Sequence, residues 1–284
     1  NHLGLLYSDM GDYARAEPLL AQTVEMQRKV FGPEHRETIT TLHNLGLVYR
    51  WMGNWAAAEL IYEQALEASE KVLGRDHPDT LTDISTLGLF YRVMGDYAKA
   101  EPLLREALER RQRVLGDNHP DTLHSLHGLG ALYHDLGDYA KAEALYLAAL
   151  EGMKRVYGQE HPDMAAILNN LGALCHDMGD DARAVSFLTQ SLEMRRKVLG
   201  EAHPDVVESL INIGTIYREM GDYANAEHSY VQALETSERL LGKDHPDTAN
   251  ARGHLGSLYA AMGRLDEAWA YLLDAKLGST RFLD

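Results

Sequence analysis

Residues 78–119 read PDTLTDISTLGLFYRVMGDYAKAEPLLREALERRQRVLGDNH, and the fold follows from this stretch. Pro78-Asp79-Thr80 opens a helix A: proline fits the first turn, where its missing N–H costs nothing, and Asp79 complements the helix dipole. Apolar residues then recur at Leu81, Ile84, Leu87, Gly88 and Tyr91, the three-and-four spacing of one buried face. Gly95 ends this helix, since glycine takes the left-handed cap conformation without strain. Asp96 is a good N-cap for a helix B from Tyr97 to about Val114, with Ala100, Leu103, Leu104, Ala107 and Leu108 inward and Gly116 as its stop.

The same pattern extends in both directions. Glycine recurs every 42 residues at Gly4, Gly46, Gly88, Gly130, Gly172, Gly214 and Gly256. A second glycine follows in register from Gly11 to Gly263, and an alanine from Ala16 to Ala268. Seven matches at three columns with no insertion make the chain one repeat array. Its expected units are a truncated first repeat, 1–35, then 36–77, 78–119, 120–161, 162–203, 204–245 and 246–284. Small residues suit the places where helices approach to ~8–10 Å, Gly88 between helices A and B and Ala100 toward the next unit. A single pair cannot bury its own apolar faces, so stability comes from stacking neighbours.

Some units depart from the pattern. The linker before the second reads Gly32-Pro33-Glu34-His35-Arg36, with the proline moved forward. Pro18 and Pro102 should bend their helices B slightly. Cys175 in place of tyrosine and Asp181 in place of an aromatic predict looser packing in the fifth unit. Asn1 falls partway along a helix A, which points to a longer natural chain. Trp269, Leu272, Leu273 and Phe282 leave the last helix without a polar cap.

The order Leu-Gly…Tyr…Gly-Asp-Tyr…Ala-Glu…Ala-Leu resembles the tetratricopeptide repeat. The 42-residue period with Gly74-Arg75-Asp76-His77-Pro78-Asp79, Gly116-Asp117-Asn118-His119-Pro120-Asp121 and Gly242-Lys243-Asp244-His245-Pro246-Asp247 is similar to the kinesin light chain variant. Glu160-His161-Pro162-Asp163 and Asn169-Asn170-Leu171-Gly172 carry the same likeness. The resemblance covers essentially the whole chain. It implies an all-α, right-handed superhelical solenoid of helix-turn-helix repeats, and leaves function to the site. The heptad coiled coil by which kinesin light chains bind their heavy chain is not in this sequence, so kinesin transport is not implied.

Composition bounds the function. Hydrophobic residues make 45% and charged residues 25% of the chain, as in soluble folded proteins. No apolar run approaches the roughly 20 residues of a membrane span. Lys+Arg 27 against Asp+Glu 43 gives a net charge of −16, which disfavours nucleic acid and anionic membranes. The single cysteine, Cys175, fits a reducing, cytoplasmic setting. His35, His77, His119, His161, His203 and His245 recur one per repeat, too far apart to share a metal, and read as fixing the linker or helix start. His124, His127 and His134 fall near one helical stripe, with His176 one repeat later. No carboxylate or thiol completes a zinc set, so groove histidines are the favoured reading. There is no phosphate-binding loop, nucleophile elbow or cysteine pair, and neither enzyme activity nor a cofactor is expected.

The inner wall of such a solenoid is formed by helix A. Four residues past each Leu-Gly glycine stand Ser8, Arg50, Arg92, His134, His176, Arg218 and Ala260, so five consecutive repeats carry a cation or a titratable base. Further wall positions hold His43, Asn44, His127, Asn169, Asn170 and Asn212; by the family resemblance, asparagines there hold a peptide backbone. Trp51 with Ala131 and Ala173 could add an apolar pocket for an aromatic anchor. These residues are the expected peptide-binding groove for a protein or peptide ligand, extended and acidic, with arginine making bidentate contacts. Against this, Asp135, Asp177 and Glu219 stand beside three of the rungs and could neutralise them. Two other roles stay open: a sensor or autoinhibitory region of a larger signalling protein such as a nucleotide-binding switch ATPase, and head-to-tail self-association.

Overall fold

The computed structural model describes residues 2–281, which leaves Phe282 outside the described residues. These residues form helices and no strand: α1 (His2–Asp9), α2 (Tyr13–Val30), α3 (Arg36–Trp51), α4 (Trp55–Leu73), α5 (Pro78–Val93), α6 (Tyr97–Leu115), α7 (Pro120–Asp135), α8 (Tyr139–Tyr157), α9 (Pro162–Asp177), α10 (Asp181–Leu199), α11 (Pro204–Glu219), α12 (Tyr223–Leu241), α13 (Pro246–Ala261) and α14 (Leu265–Arg281). From α3 onward each odd-numbered helix opens at an expected repeat boundary. None of the described helices is long and apolar enough to cross a membrane.

The linker histidines are N-caps. His77 Nδ1 accepts the Asp79 N–H at 3.2 Å, and His35, His119, His161, His203 and His245 do the same for the residue two places on. Each ring thereby satisfies a donor the helix cannot, with its own proton left on Nε2. Asp96 caps α6 through the Lys99 N–H at 3.2 Å, and Gly95 makes the turn before it at φ +76°. Helices α2 and α6 continue through Pro18 and Pro102 without interruption.

Contacts divide the chain into two compact units, 1–136 and 137–284, parting at the turn inside the fourth repeat. In the first, α3 packs on α2 around Leu20, Leu42, Leu45 and Val48; in the second, α11 packs on α10 around Leu188, Val206, Leu210 and Ile213. The helix-A glycines admit a helix-B side chain. A Cβ at Gly46 would stand 2.6 Å from the Tyr62 ring, and at Gly172 2.6 Å from Leu188 Cγ. The backbone of α10 also comes close there, the Ala184 carbonyl lying 3.3 Å from the Gly172 Cβ position.

Successive repeats are also tied by hydrogen bonds. The Tyr49 hydroxyl bonds Glu17 at 2.9 Å, Tyr91 bonds Glu59 at 2.8 Å, Tyr133 bonds Glu101 at 2.9 Å and Tyr259 bonds Glu227 at 2.8 Å. Burial first, then Glu17, pushes the Tyr49 hydroxyl up to about 12. In the fifth repeat, where Cys175 replaces this tyrosine, Glu143 keeps its bond to Arg183, as Glu59 bonds Lys99 beside Tyr91. The looser packing expected there is not found. Cys175 is fully buried in the α10–α11 core, because a smaller side chain is met by Ala184, Leu188 and Val206 in the same cluster.

Candidate functional site

The expected wall residues fall on helices α3, α5 and α7 of the first unit and on α9 and α11 of the second. In the first unit Arg50, in the last turn of α3, has its guanidinium 4.9 Å from the Trp51 ring centre and makes no ion pair among the described residues. Trp51 is 60% exposed and stacks on Tyr13 of the preceding helix at 6.3 Å. It therefore lies on an open surface. Arg92, on α5, reaches Asp135 of α7 at 3.4 Å, while its buried Nε has no hydrogen-bond partner. His127 and His134 lie partly buried on α7.

In the second unit Asn212 donates its amide N–H to the Asn169 carbonyl at 3.0 Å, joining α11 to α9. Beside them His176 is held from both sides, with Nδ1 2.7 Å from Asp181 and Nε2 2.8 Å from Glu219. The hydrogen bond to Asp181 is the main cause that raises the His176 pKa; burial opposes it, and the charge of Glu219 adds to the rise. Arg218 approaches Glu219 at 3.6 Å, and Asn170 lies partly buried on α9. Asn169, Ala173, His176, Asn212 and Thr215 line a cleft of about 160 Å³ between α9 and α11. The asparagine pair uses one donor and one acceptor. The Asn169 amino group and the Asn212 carbonyl keep further capacity toward the cleft.

The ladder of cations is thus partly neutralised from within. Glu219 meets its neighbour Arg218 as expected, but Arg92 and His176 are met by acids one repeat later, Asp135 and Glu219, and Arg50 has an aromatic ring instead.

A second cavity, of about 230 Å³, lies between α3 and α5 with Ser69 and Leu73 of α4 at its back. His43 and Asn44, both expected wall residues, line it. Its distinctive member is Asp83, only 8% exposed, which accepts the Ser69 hydroxyl at 2.5 Å and stands 3.6 Å from His43 Nδ1. Asp83 is not among the expected groove residues. The available signal was a charge on the inward face of helix A, where the other repeats carry Thr41, Ser125, Ile167, Ser209 and Ala251. Among the described residues no group of three or more histidine, cysteine or acidic side chains is placed to hold a metal ion.

The tetratricopeptide repeat model matches successive overlapping stretches, 1–71, 37–89, 82–154, 125–197, 163–238 and 205–275. The chain belongs to the tetratricopeptide repeat family. Tetratricopeptide repeats typically mediate protein–protein interactions. Among solved structures the chain is similar to BtubC (BKLC) from P. vanneervenii, 27% identical, with a TM-score of 0.68 over 80% of this chain and 90% of that one. The nearly identical repeats of a Podospora anserina protein described as a kinesin light chain are 24% identical, with a TM-score of 0.64 over 72% and 98%. The apo form of RapI, 14% identical, shares the tetratricopeptide fold at a TM-score of 0.67 over 99% and 96%. No curated protein matches the sequence.

Proposed function

We propose that the chain is a non-enzymatic, cytoplasmic scaffold that holds an extended segment of a partner protein against its helix-A faces. The observation that carries this is the mainly apolar cleft of the second unit, where the side-chain amides of Asn169 and Asn212 meet beside His176 and Thr215. Amide side chains with spare donors and acceptors suit a peptide backbone, which offers both along its length. An acidic preference is supported in the first unit alone. Arg50 has no acid of its own, and a ligand carboxylate would compete with Asp135 for Arg92.

The test is a peptide-display selection on the full chain and on its Asn169→Ala/Asn212→Ala and Arg50→Glu/Arg92→Glu variants. The asparagine variant is expected to lose affinity about ten-fold or more for every selected peptide, the size of two lost hydrogen bonds. The arginine variant should lose only acidic peptides. Unchanged selection by both variants would sink the reading.

Head-to-tail association is favoured by a separate observation. Leu3 and Leu6 on α1, and Leu265 and Trp269 on α14, are each more than half exposed. A molar mass from light scattering that rises with concentration, and stays monomeric for Trp269→Glu, would support assembly over peptide binding.

A further inference from the structure

We propose that the cavity between α3 and α5 receives a basic side chain, lysine or arginine, from the bound partner, with Asp83 as its counter-ion. The inference rests on the reading of the helix-A faces as a peptide-binding surface and specifies the ligand chemistry at one place on it.

The Ser69–Asp83 hydrogen bond joins α4 to α5 where Arg111–Ser125 joins α6 to α7 and Arg195–Ser209 joins α10 to α11, but no equivalent position in the other repeats carries an acid. A buried carboxylate without a full set of partners destabilises the fold that contains it. Such a local violation, set in a cavity that opens beside wall residues, points to a binding feature. The carboxylate is also under-satisfied. It accepts one hydroxyl hydrogen bond from Ser69, while His43 at 3.6 Å is beyond hydrogen-bond distance. An ionised carboxylate accepts about four hydrogen bonds. Arg36, which also lines the cavity, is 81% exposed and faces Asp79 at 3.7 Å.

The cavity's shape fits the same ligand. Ile39 and Leu73 give apolar walls for the methylene stem of a lysine or arginine, and the charge lies deeper, at Asp83. An ammonium or guanidinium there would bring donors to the open carboxylate oxygen in a largely desolvated place, where charge-assisted hydrogen bonds are strongest. An acidic ligand group is excluded by the same carboxylate. Partners would therefore be mixed in sign, basic where they meet α3 and α5 and tolerant of acids beside Arg50.

The experiment is a double-mutant cycle on the full chain. Peptides selected by display are synthesised with each lysine or arginine in turn replaced by norleucine, which keeps the stem and removes the charge. Affinities are measured by fluorescence anisotropy against wild type, Asp83→Asn and Asp83→Thr. Threonine is what the second repeat holds at this place, so Asp83→Thr keeps the fold if the isosteric amide does not. One basic residue is expected to matter: its norleucine form should bind wild type about ten-fold more weakly or worse. That difference should vanish in both Asp83 variants. Peptides that bind with no basic residue singled out, or with the same norleucine penalty in the variants, overturn the cavity assignment and leave the groove reading standing. Failure of every peptide to bind wild type overturns both.

Discussion

Gly214 and Gly253 both lie inside a helix A, and the same substitution should have opposite effects on them. Alanine in place of a mid-helix glycine gains about 0.5–1 kcal/mol through the unfolded chain. At Gly253 nothing lies within 4 Å of the new methyl group, so the gain should appear in full. At Gly214 the methyl carbon would stand 2.7 Å from Tyr230 Cε1 and 2.8 Å from Cδ1. The Tyr230 ring has no room to retreat: it is fully buried, and its hydroxyl is bonded to Thr215 at 3.0 Å, one residue from the substitution. Overpacking of this kind costs about 1–3 kcal/mol, and displacing the hydroxyl adds about 0.5–1.5 kcal/mol. After the helix gain, Gly214→Ala should destabilise by about 1–3 kcal/mol. Denaturant unfolding followed by circular dichroism measures both. Repeat arrays need not unfold in one step, so hydrogen exchange in α11 and α12 locates the loss. Gly214→Ala as stable as wild type, or Gly253→Ala as harmful as Gly214→Ala, would refute the close-approach account of the glycine column.

Three other expectations test separate parts of the structure. Tyr91→Phe removes the hydroxyl shared by Glu59 and Glu63, and should cost about 1 kcal/mol, read as a lower unfolding midpoint. His119→Ala removes the acceptor for the Asp121 N–H and should cost about 1 kcal/mol, with exchange of that amide rising first. The folded pKa of His176 is raised by Asp181 and Glu219, so its contribution to stability is complete below the unfolded value near 6.5 and declines as pH rises through the folded one. Unfolding midpoints across that window should fall with rising pH in wild type and fall less in His176→Gln. A proton titration of the His176 ring at or below the unfolded value would contradict the assignment.

Much of this was legible in the sequence because a repeat states its constraints seven times. Helix boundaries followed from Gly95, Asp96 and Pro78 and their equivalents, which act through local backbone geometry alone. The linker histidines were readable as helix-start residues for the same reason. What was not legible depends on which acid meets which cation across helices. Arg92 to Asp135 and His176 to Glu219 are 43 residues apart, and Tyr91 to Glu59 is 32, pairings that only the stacking distance creates. The ladder of cations therefore looked more open to an acidic ligand than it is. Asp83 was hidden by its regular surroundings, one acid among many in a chain of net charge −16.

The most direct test of the account is where a bound peptide protects the chain. Backbone hydrogen exchange with and without a display-selected peptide should show slowed amides concentrated in α3, α5, α9 and α11 and near-unchanged exchange in α4, α6, α10 and α12. Protection concentrated on the helix-B set instead would contradict a partner held on the helix-A faces.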